Sequence, residues 1–334
     1  MTIIAGLKRK LITLRRHPSI VQDILRGRNW QQIEDKADSL DKKEISEFLT
    51  TMKKTVGGAV NVDTNAKLNL NKICHLEDFR NREIVQALSE IQKLNPKGQI
   101  HRKDWEWAMG IIAMQRLGKL NKRCSAVGIG SGTEVIPFYL ANKIDHVYAT
   151  DLYNAGSWSA AAPKSFPENP KKYAPFPYRE DALTVLKMDG TKLEFPSETF
   201  DIAFSFSSIE HFGGKNHSGS LKSLKEIERV LKPGGIAVIA TEFIINNKNH
   251  YEFFNRRTIF SHLIDKVESL HLVTPIDFAV SAETLDTVLD FFKIDVNWNK
   301  FDDEFKRQHP LIVLQARNML FTSIMLVFSK SEKF

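Results

Sequence analysis

Apolar residues over the first part of the chain recur at every third or fourth position. Ile20-Val21-Ile24-Leu25 and Ile45-Phe48-Leu49-Met52 carry that spacing, which predicts helices that bury one side. Ser39 or Asp41 stands where a cap of the second helix is expected. Residues 76–94 predict a further helix, stopped by Asn95-Pro96-Lys97-Gly98, and residues 105–117 another, ending at Gly118. Between them, residues 55–71 hold Gly57-Gly58 and many polar side chains and read as a loop. Residues 1–120 are thus expected to form a helical region or lid.

From Cys124 onward the period changes. Short apolar runs alternate with helical segments, the pattern of a parallel sheet with crossover helices. Strands are expected at 124–128, 146–150, 184–188, 201–205, 236–241, 269–278 and 321–328. Helices are expected at 133–142, 219–231, 255–267 and 282–292. The fold class is therefore α/β, a seven-stranded, doubly wound sheet with a helical N-terminal extension. Residues 152–181 break the rhythm with five prolines and with Trp158, Phe166, Tyr173, Phe176 and Tyr178. A connection this long within a compact domain reads as a lid or binding loop.

Composition narrows the classes. Hydrophobic residues make up 42% and charged residues 26% of 334 residues, a globular balance. The two cysteines, Cys74 and Cys124, form no CxxC, so a disulfide framework or zinc cluster is not expected. No apolar run approaches the roughly 20 residues of a bilayer span, and the start of the chain lacks the apolar core of a signal peptide. A cytoplasmic location is the expectation. The net charge of +7 draws on Lys8, Arg9, Lys10, Arg15, Arg16, Arg26 and Arg28. These read as a solvated helix face or a surface for nucleic acid, anionic lipid or a phosphorylated substrate.

The chemistry concentrates at the strand ends. Ala126-Val127-Gly128-Ile129-Gly130-Ser131-Gly132 joins the first predicted strand of the α/β part to a helix. Such a turn needs glycine where the backbone bends tightly or approaches a ligand. A dinucleotide fingerprint places its third small residue one position later, where Thr133 stands. Asp151 closes the next strand, 19 residues after Gly132, where a carboxylate accepts from ribose hydroxyls in either cofactor class. Asp189-Gly190 follows the third strand. Phe206-Ser207-Ser208-Ile209-Glu210-His211-Phe212 follows the fourth, and Leu231-Lys232-Pro233-Gly234-Gly235 introduces the fifth.

In this order, the GxGxG loop, the two aspartates, the Glu-His pair and Leu-Lys-Pro-Gly-Gly resemble the class I S-adenosylmethionine-dependent methyltransferases, in the form of bacterial enzymes acting on small molecules or glycans. The resemblance covers about 120 residues from Lys122. It implies a Rossmann-like sheet with the last strand antiparallel, an S-adenosylmethionine-binding domain over residues 121–334, and S-adenosylmethionine as cofactor. It implies cofactor contacts from Gly128, Gly130, Gly132, Asp151, Leu152, Met188, Asp189, Gly190 and Ser207, with Asp189 at the adenine amino group. One departure stands out: many members carry an acid two residues before the first glycine, where this chain has Ala126.

Methyl transfer to a hydroxyl requires loss of a proton. His211, with an ordinary pKa of about 6.5, is the expected base, with Glu210 as a helper that orients substrate or caps the following glycines. Trp158 and Tyr153 in the long insert, and His217 on a loop over the pocket, are the expected substrate contacts. The favoured acceptor is a hydroxyl of a small molecule, sugar or glycan. Nucleic acid or protein remains an alternative acceptor, as do an NAD-dependent oxidoreductase and a binding protein without catalysis. No metal spacing is evident, and the oligomeric state is not encoded in these patterns.

Overall fold

A computed structural model describes residues 10–26, 28–56, 63–92, 99–153, 161–294 and 300–332. Among these residues, ten strands form one sheet. They are β1 (Lys72–Ile73), β2 (Ser125–Ile129), β3 (His146–Asp151), β4 (Leu183–Lys187), β5 (Phe200–Phe206), β6 (Leu231–Ile244), β7 (Leu270–Leu272), β8 (Leu289–Asp290), β9 (Leu314–Ala316) and β10 (Met319–Lys330). The helices that position the site are α1 (Trp30–Val56), α2 (Arg82–Glu90), α3 (Arg102–Arg116), α4 (Val135–Lys143), α5 (Ser218–Val230) and α6 (Arg256–His262).

The sheet runs β4-β3-β2-β5-β6-β10-β9-β8, with β1 and β7 also paired to β10. Strands β4, β3, β2, β5 and β6 are parallel. Strand β10 lies antiparallel to β6, with Phe328 opposite Ala237 and Thr322 opposite Phe243. The order reverses at β2, with β3 on one side and β5 on the other, and an open α/β sheet binds ligands beside such a point.

Burial on both faces explains why the strands read as near-continuous apolar runs. Ala126, Phe204, Val238 and Val327 face one core, which holds Trp105, Met109 and Ile112 of α3 and Phe138 and Tyr139 of α4. Val127, Ala203, Ile239 and Leu326 face the other, with Leu224 and Ile227 of α5 and Ile259 of α6. Helix α3, drawn from the expected lid, is therefore built into the sheet's first face. Its segment from Trp105 to Met114 is buried save for Trp107.

Several expectations are corrected. The sheet has ten strands rather than seven, because short strands at 72–73, 289–290 and 314–316 lack a periodic signature. The strand expected at 269–278 shrinks to β7, and the helix expected at 282–292 is the short helix Ala282–Leu285, then β8, then a second short helix, Phe291–Ile294. Ser39 and Asp41 lie inside α1 rather than at a cap. Asp41 is buried and takes Arg16 Nε at 2.9 Å and His17 Nε2 at 2.6 Å. Among the described residues, no helix is long and apolar enough to cross a membrane.

Candidate active site

The turn from β2 to α4 is set by local hydrogen bonds. Thr150 Oγ1 donates to Gly128 O at 2.7 Å, and Ser131 N donates to Thr150 O at 2.9 Å. Gly132 N donates to Asp151 Oδ2 at 2.9 Å, and Thr133 N donates to Ala161 O at 3.0 Å. Gly130 and Gly132 have φ of +65° and +45°, a region other residues enter at a cost. Gly128 serves packing: a Cβ there would stand 2.5 Å from the Phe204 ring.

Next to this turn lies a cavity of about 670 Å³, within the size range of ligand sites. Gly130, Gly132, Asp151, Leu152, Met188, Asp189, Gly190, Ser207 and His211 all line it. Ser131, Thr133, Glu134, Thr191, Ser208, Phe212 and, from α3, Lys103 and Trp107 complete the wall. The two aspartates stand at the carboxyl ends of the adjacent strands β3 and β4. Asp151 Oδ1 takes the Leu152 amide at 2.7 Å. Asp189 Oδ1 takes both Thr191 N and Thr191 Oγ1 at 2.8 Å.

His211 sits in the one-turn 3-10 helix Ile209–Phe212 just after β5. Its ring meets Phe253 edge-on at 6.2 Å, and its Nδ1 lies 4.0 Å from Glu252 Oε1. Burial lowers its pKa, against the opposing pull of Glu252. The imidazole is therefore neutral at neutral pH, as a base must be.

Four expected site residues fall elsewhere, the first being Gly128, which packs on Phe204 rather than lining the cavity. Glu210 is buried beneath the cavity, where its Oε1 takes Glu242 N at 3.3 Å. Burial pushes its carboxyl up to about 7. His217 is buried rather than on an open loop: it stacks on Phe254 at 4.3 Å, and its Nδ1 lies 2.9 Å from His262 Nδ1. Tyr153 turns into the core against Phe166, with ring centroids 5.6 Å apart. Trp158 lies outside the described residues. The other aromatics of the long insert also pack inward, Phe166 and Tyr178 onto Phe138 and Tyr173 onto Phe166. Among the described residues of the insert, Leu152, Ala161 and Ala162 border the cavity. Ser207 borders it with φ of +50°, and its hydroxyl donates to Glu106 at 2.8 Å.

The buried charge chain from α3 is not legible in the sequence. Glu106 is fully buried. It meets Lys103 Nζ at 3.1 Å and takes the Ser323 hydroxyl at 2.5 Å. Lys103 Nζ also lies 2.6 Å from Glu134 Oε1 and donates to Phe206 O at 2.9 Å. Arg102 Nη2 lies 2.7 Å from Glu242 Oε1. Burial disfavours the charge on Lys103, but Glu106 and Glu134 outweigh it and hold the ammonium above its ordinary range. The helix expected at 105–117 begins three residues earlier, at Arg102, and its spacing holds no hint that these charges turn inward. Among the described residues, no group of three His, Cys, Asp or Glu side chains is arranged to hold a metal ion.

The cavity at the switch point is thus walled by a glycine turn, two strand-end carboxylates and a histidine. Residues 127–239 match a family model described as a methyltransferase domain. That stretch covers β2 to β6, the parallel strands that carry the glycine turn and both aspartates. A stretch of 77 residues is 31% identical to the sterol 4-C-methyltransferase of Caenorhabditis elegans. That match spans only 22% of this chain and 22% of the relative. A solved structure from Galdieria sulphuraria, described as a sarcosine dimethylglycine methyltransferase, aligns at 13% identity and a TM-score of 0.46, covering 75% of this chain and 99% of its own. Geranyl diphosphate methyltransferase in complex with S-adenosylmethionine aligns at 14% identity and a TM-score of 0.44, covering 67% of this chain and 84% of its own.

Proposed function

We propose that this protein transfers a methyl group from S-adenosylmethionine to a hydroxyl of a small molecule, sugar or glycan. Residues 121–334 form the catalytic domain in this reading, with the preceding helices closing one side. The observation that carries it is the single cavity walled by the glycine turn, both aspartates and His211.

The residues fit the cofactor's chemistry. Each Asp151 oxygen already takes one amide and keeps a further lone pair, so the carboxylate can accept from two neighbouring ribose hydroxyls. Asp189 Oδ1 is engaged by Thr191, which fixes the carboxyl while leaving acceptor capacity for an adenine amino group. Gly130, Gly132, Leu152, Met188 and Gly190 would shape the remaining wall. The cofactor supplies a methyl already activated on a sulfonium. The chain's own tasks are alignment, exclusion of water and removal of the acceptor's proton. His211 Nε2 or Nδ1 takes that proton, and Glu252 favours the imidazolium that results.

Incubating the protein with methyl-labelled S-adenosylmethionine and fractionated metabolites and glycans tests this reading. Label is expected in a hydroxyl-bearing fraction, and lost with His211→Ala. Label appearing only in nucleic acid or protein would overturn the acceptor class.

A further inference from the structure

The family resemblance expects an acid two residues before the first glycine, but Ala126 is buried in β2. That position therefore offers no carboxylate, although the cofactor proposed above ends in an α-amino acid. The cavity wall holds a charge pair on the other side of the glycine turn. Glu134 lies directly N-terminal to α4, two residues past Gly132, and Lys103 comes from α3.

Resting on the cofactor reading above, we propose that Glu134 and Lys103 form a clamp for the α-amino-acid end of the cofactor. Glu134 accepts from the ammonium and Lys103 donates to the carboxylate.

Both side chains line the cavity beside Gly132 and Thr133. Their charged atoms lie 2.6 Å apart, so each already holds the polarity that one half of a zwitterion needs. Neither is adrift. Lys103 is anchored by Glu106 and the Phe206 carbonyl. Glu134 Oε2 takes the Trp107 indole N–H at 3.2 Å. These anchors fix the two groups before any ligand arrives, which lowers the ordering cost of binding. A zwitterion adds no net charge, so it can be seated against the pair without leaving a buried charge uncompensated. A singly charged ligand end would match only one of the two partners, and a neutral end would leave the pair as it stands. The clamp also makes the site depend on α3, which lies outside the stretch matched by the family model.

Calorimetric titration of the full chain with S-adenosylhomocysteine and with 5′-methylthioadenosine tests the clamp. The second ligand carries the same adenosyl thioether without the amino-acid end. Glu134→Gln keeps Lys103 and Glu106 in place and is the variant of choice. Lys103→Met removes a partner of buried Glu106 and is read only if its melting curve stays cooperative. Glu134→Gln is expected to weaken S-adenosylhomocysteine by about 10- to 100-fold, the range for hydrogen bonds to charged groups, and 5′-methylthioadenosine by less than about threefold. A deaminated S-adenosylhomocysteine should bind the wild type and Glu134→Gln alike. Equal losses for both ligands, or no loss for either, overturn the clamp while leaving the cofactor reading intact. A wild-type chain that binds neither ligand overturns both.

Discussion

The main-chain amide of Gly132 donates a 2.9 Å hydrogen bond to Oδ2 of Asp151, tying the turn after β2 to the end of β3. The second oxygen takes the Leu152 amide at 2.7 Å. One carboxylate thus shapes the glycine turn and presents acceptors at the cavity wall. Asp151→Asn places an NH2 group against one of those amides. It is expected to lower stability by about 1 kcal/mol, the net worth of a hydrogen bond, and to weaken S-adenosylhomocysteine at least tenfold. Thermal melting and calorimetry read the two effects. Unchanged affinity would remove Asp151 from the cofactor site.

Gly132 and Gly118 make a controlled pair. Both have positive φ, +45° and +69°. A Cβ on Gly132 would lie 2.7 Å from the Ala161 carbonyl oxygen, whereas one on Gly118 meets nothing within 4 Å. Gly118→Ala is expected to cost about 1 kcal/mol from backbone strain alone. Gly132→Ala should cost clearly more, on the order of 2–4 kcal/mol, because the Ala161 segment must also move. Chemical denaturation of both variants measures the difference, and equal costs would show that the Ala161 contact is soft.

His211 supplies the pH dependence of turnover. Burial lowers its pKa, so the base form persists below the ordinary value of about 6.5. The acid limb of kcat is expected to fall below that value. Glu252 lies 4.0 Å from Nδ1 and raises the pKa, so Glu252→Gln should shift the limb further toward acid, by up to about one pH unit. His211→Ala should lower kcat by about 100- to 10,000-fold with cofactor affinity little changed. A limb that moves toward alkaline pH in Glu252→Gln would contradict the assignment.

Glu210 and Glu242 bind protons in the folded state at pH values where the unfolded chain has released them. Burial pushes both up to about 7 from the ordinary 4.5. A raised folded pKa gives stability that is fully present below the unfolded value and lost as pH climbs through the folded one. Glu210→Gln keeps the shape and removes that titration. Relative to wild type it should gain stability between about pH 4.5 and 7, by on the order of 1–3 kcal/mol. The histidines contribute slopes of the opposite sign, but they are common to both proteins and cancel in the difference. A difference independent of pH would show that Glu210 is not the group that titrates.

Much of this molecule is written in the sequence's strand-end punctuation. The glycine turn, Asp151, Asp189 and His211 follow four successive parallel strands, and the parallel topology brings such positions to one edge. The β10 run, Leu320 to Phe328, declares itself through its length and apolarity. What escaped the sequence depends on partners far along the chain. Strand β1 is two residues long and exists only because β10 offers a free edge. Lys103, Glu106 and Glu134 read as ordinary charged positions on helices until α3 is laid on the sheet. His217 escapes the sequence because a two-glycine turn sends the segment after Phe212 inward, and Glu210 because the one-turn helix after β5 points it at Glu242. Gly213 and Gly214 have φ of +71° and +86°, values that carry the chain back toward α5. The aromatics of the long insert suggested a binding surface, whereas Phe166 and Tyr178 find a larger apolar contact behind Phe138.

The central claim is that the turn from Gly130 to Gly132 and the two aspartates hold an adenosyl thioether. Titrating the wild-type chain with S-adenosylhomocysteine, and separately with NAD, addresses it without knowledge of the acceptor. Saturable binding of one S-adenosylhomocysteine per chain, with no heat from NAD, is the predicted result. Binding of NAD in its place would contradict the account.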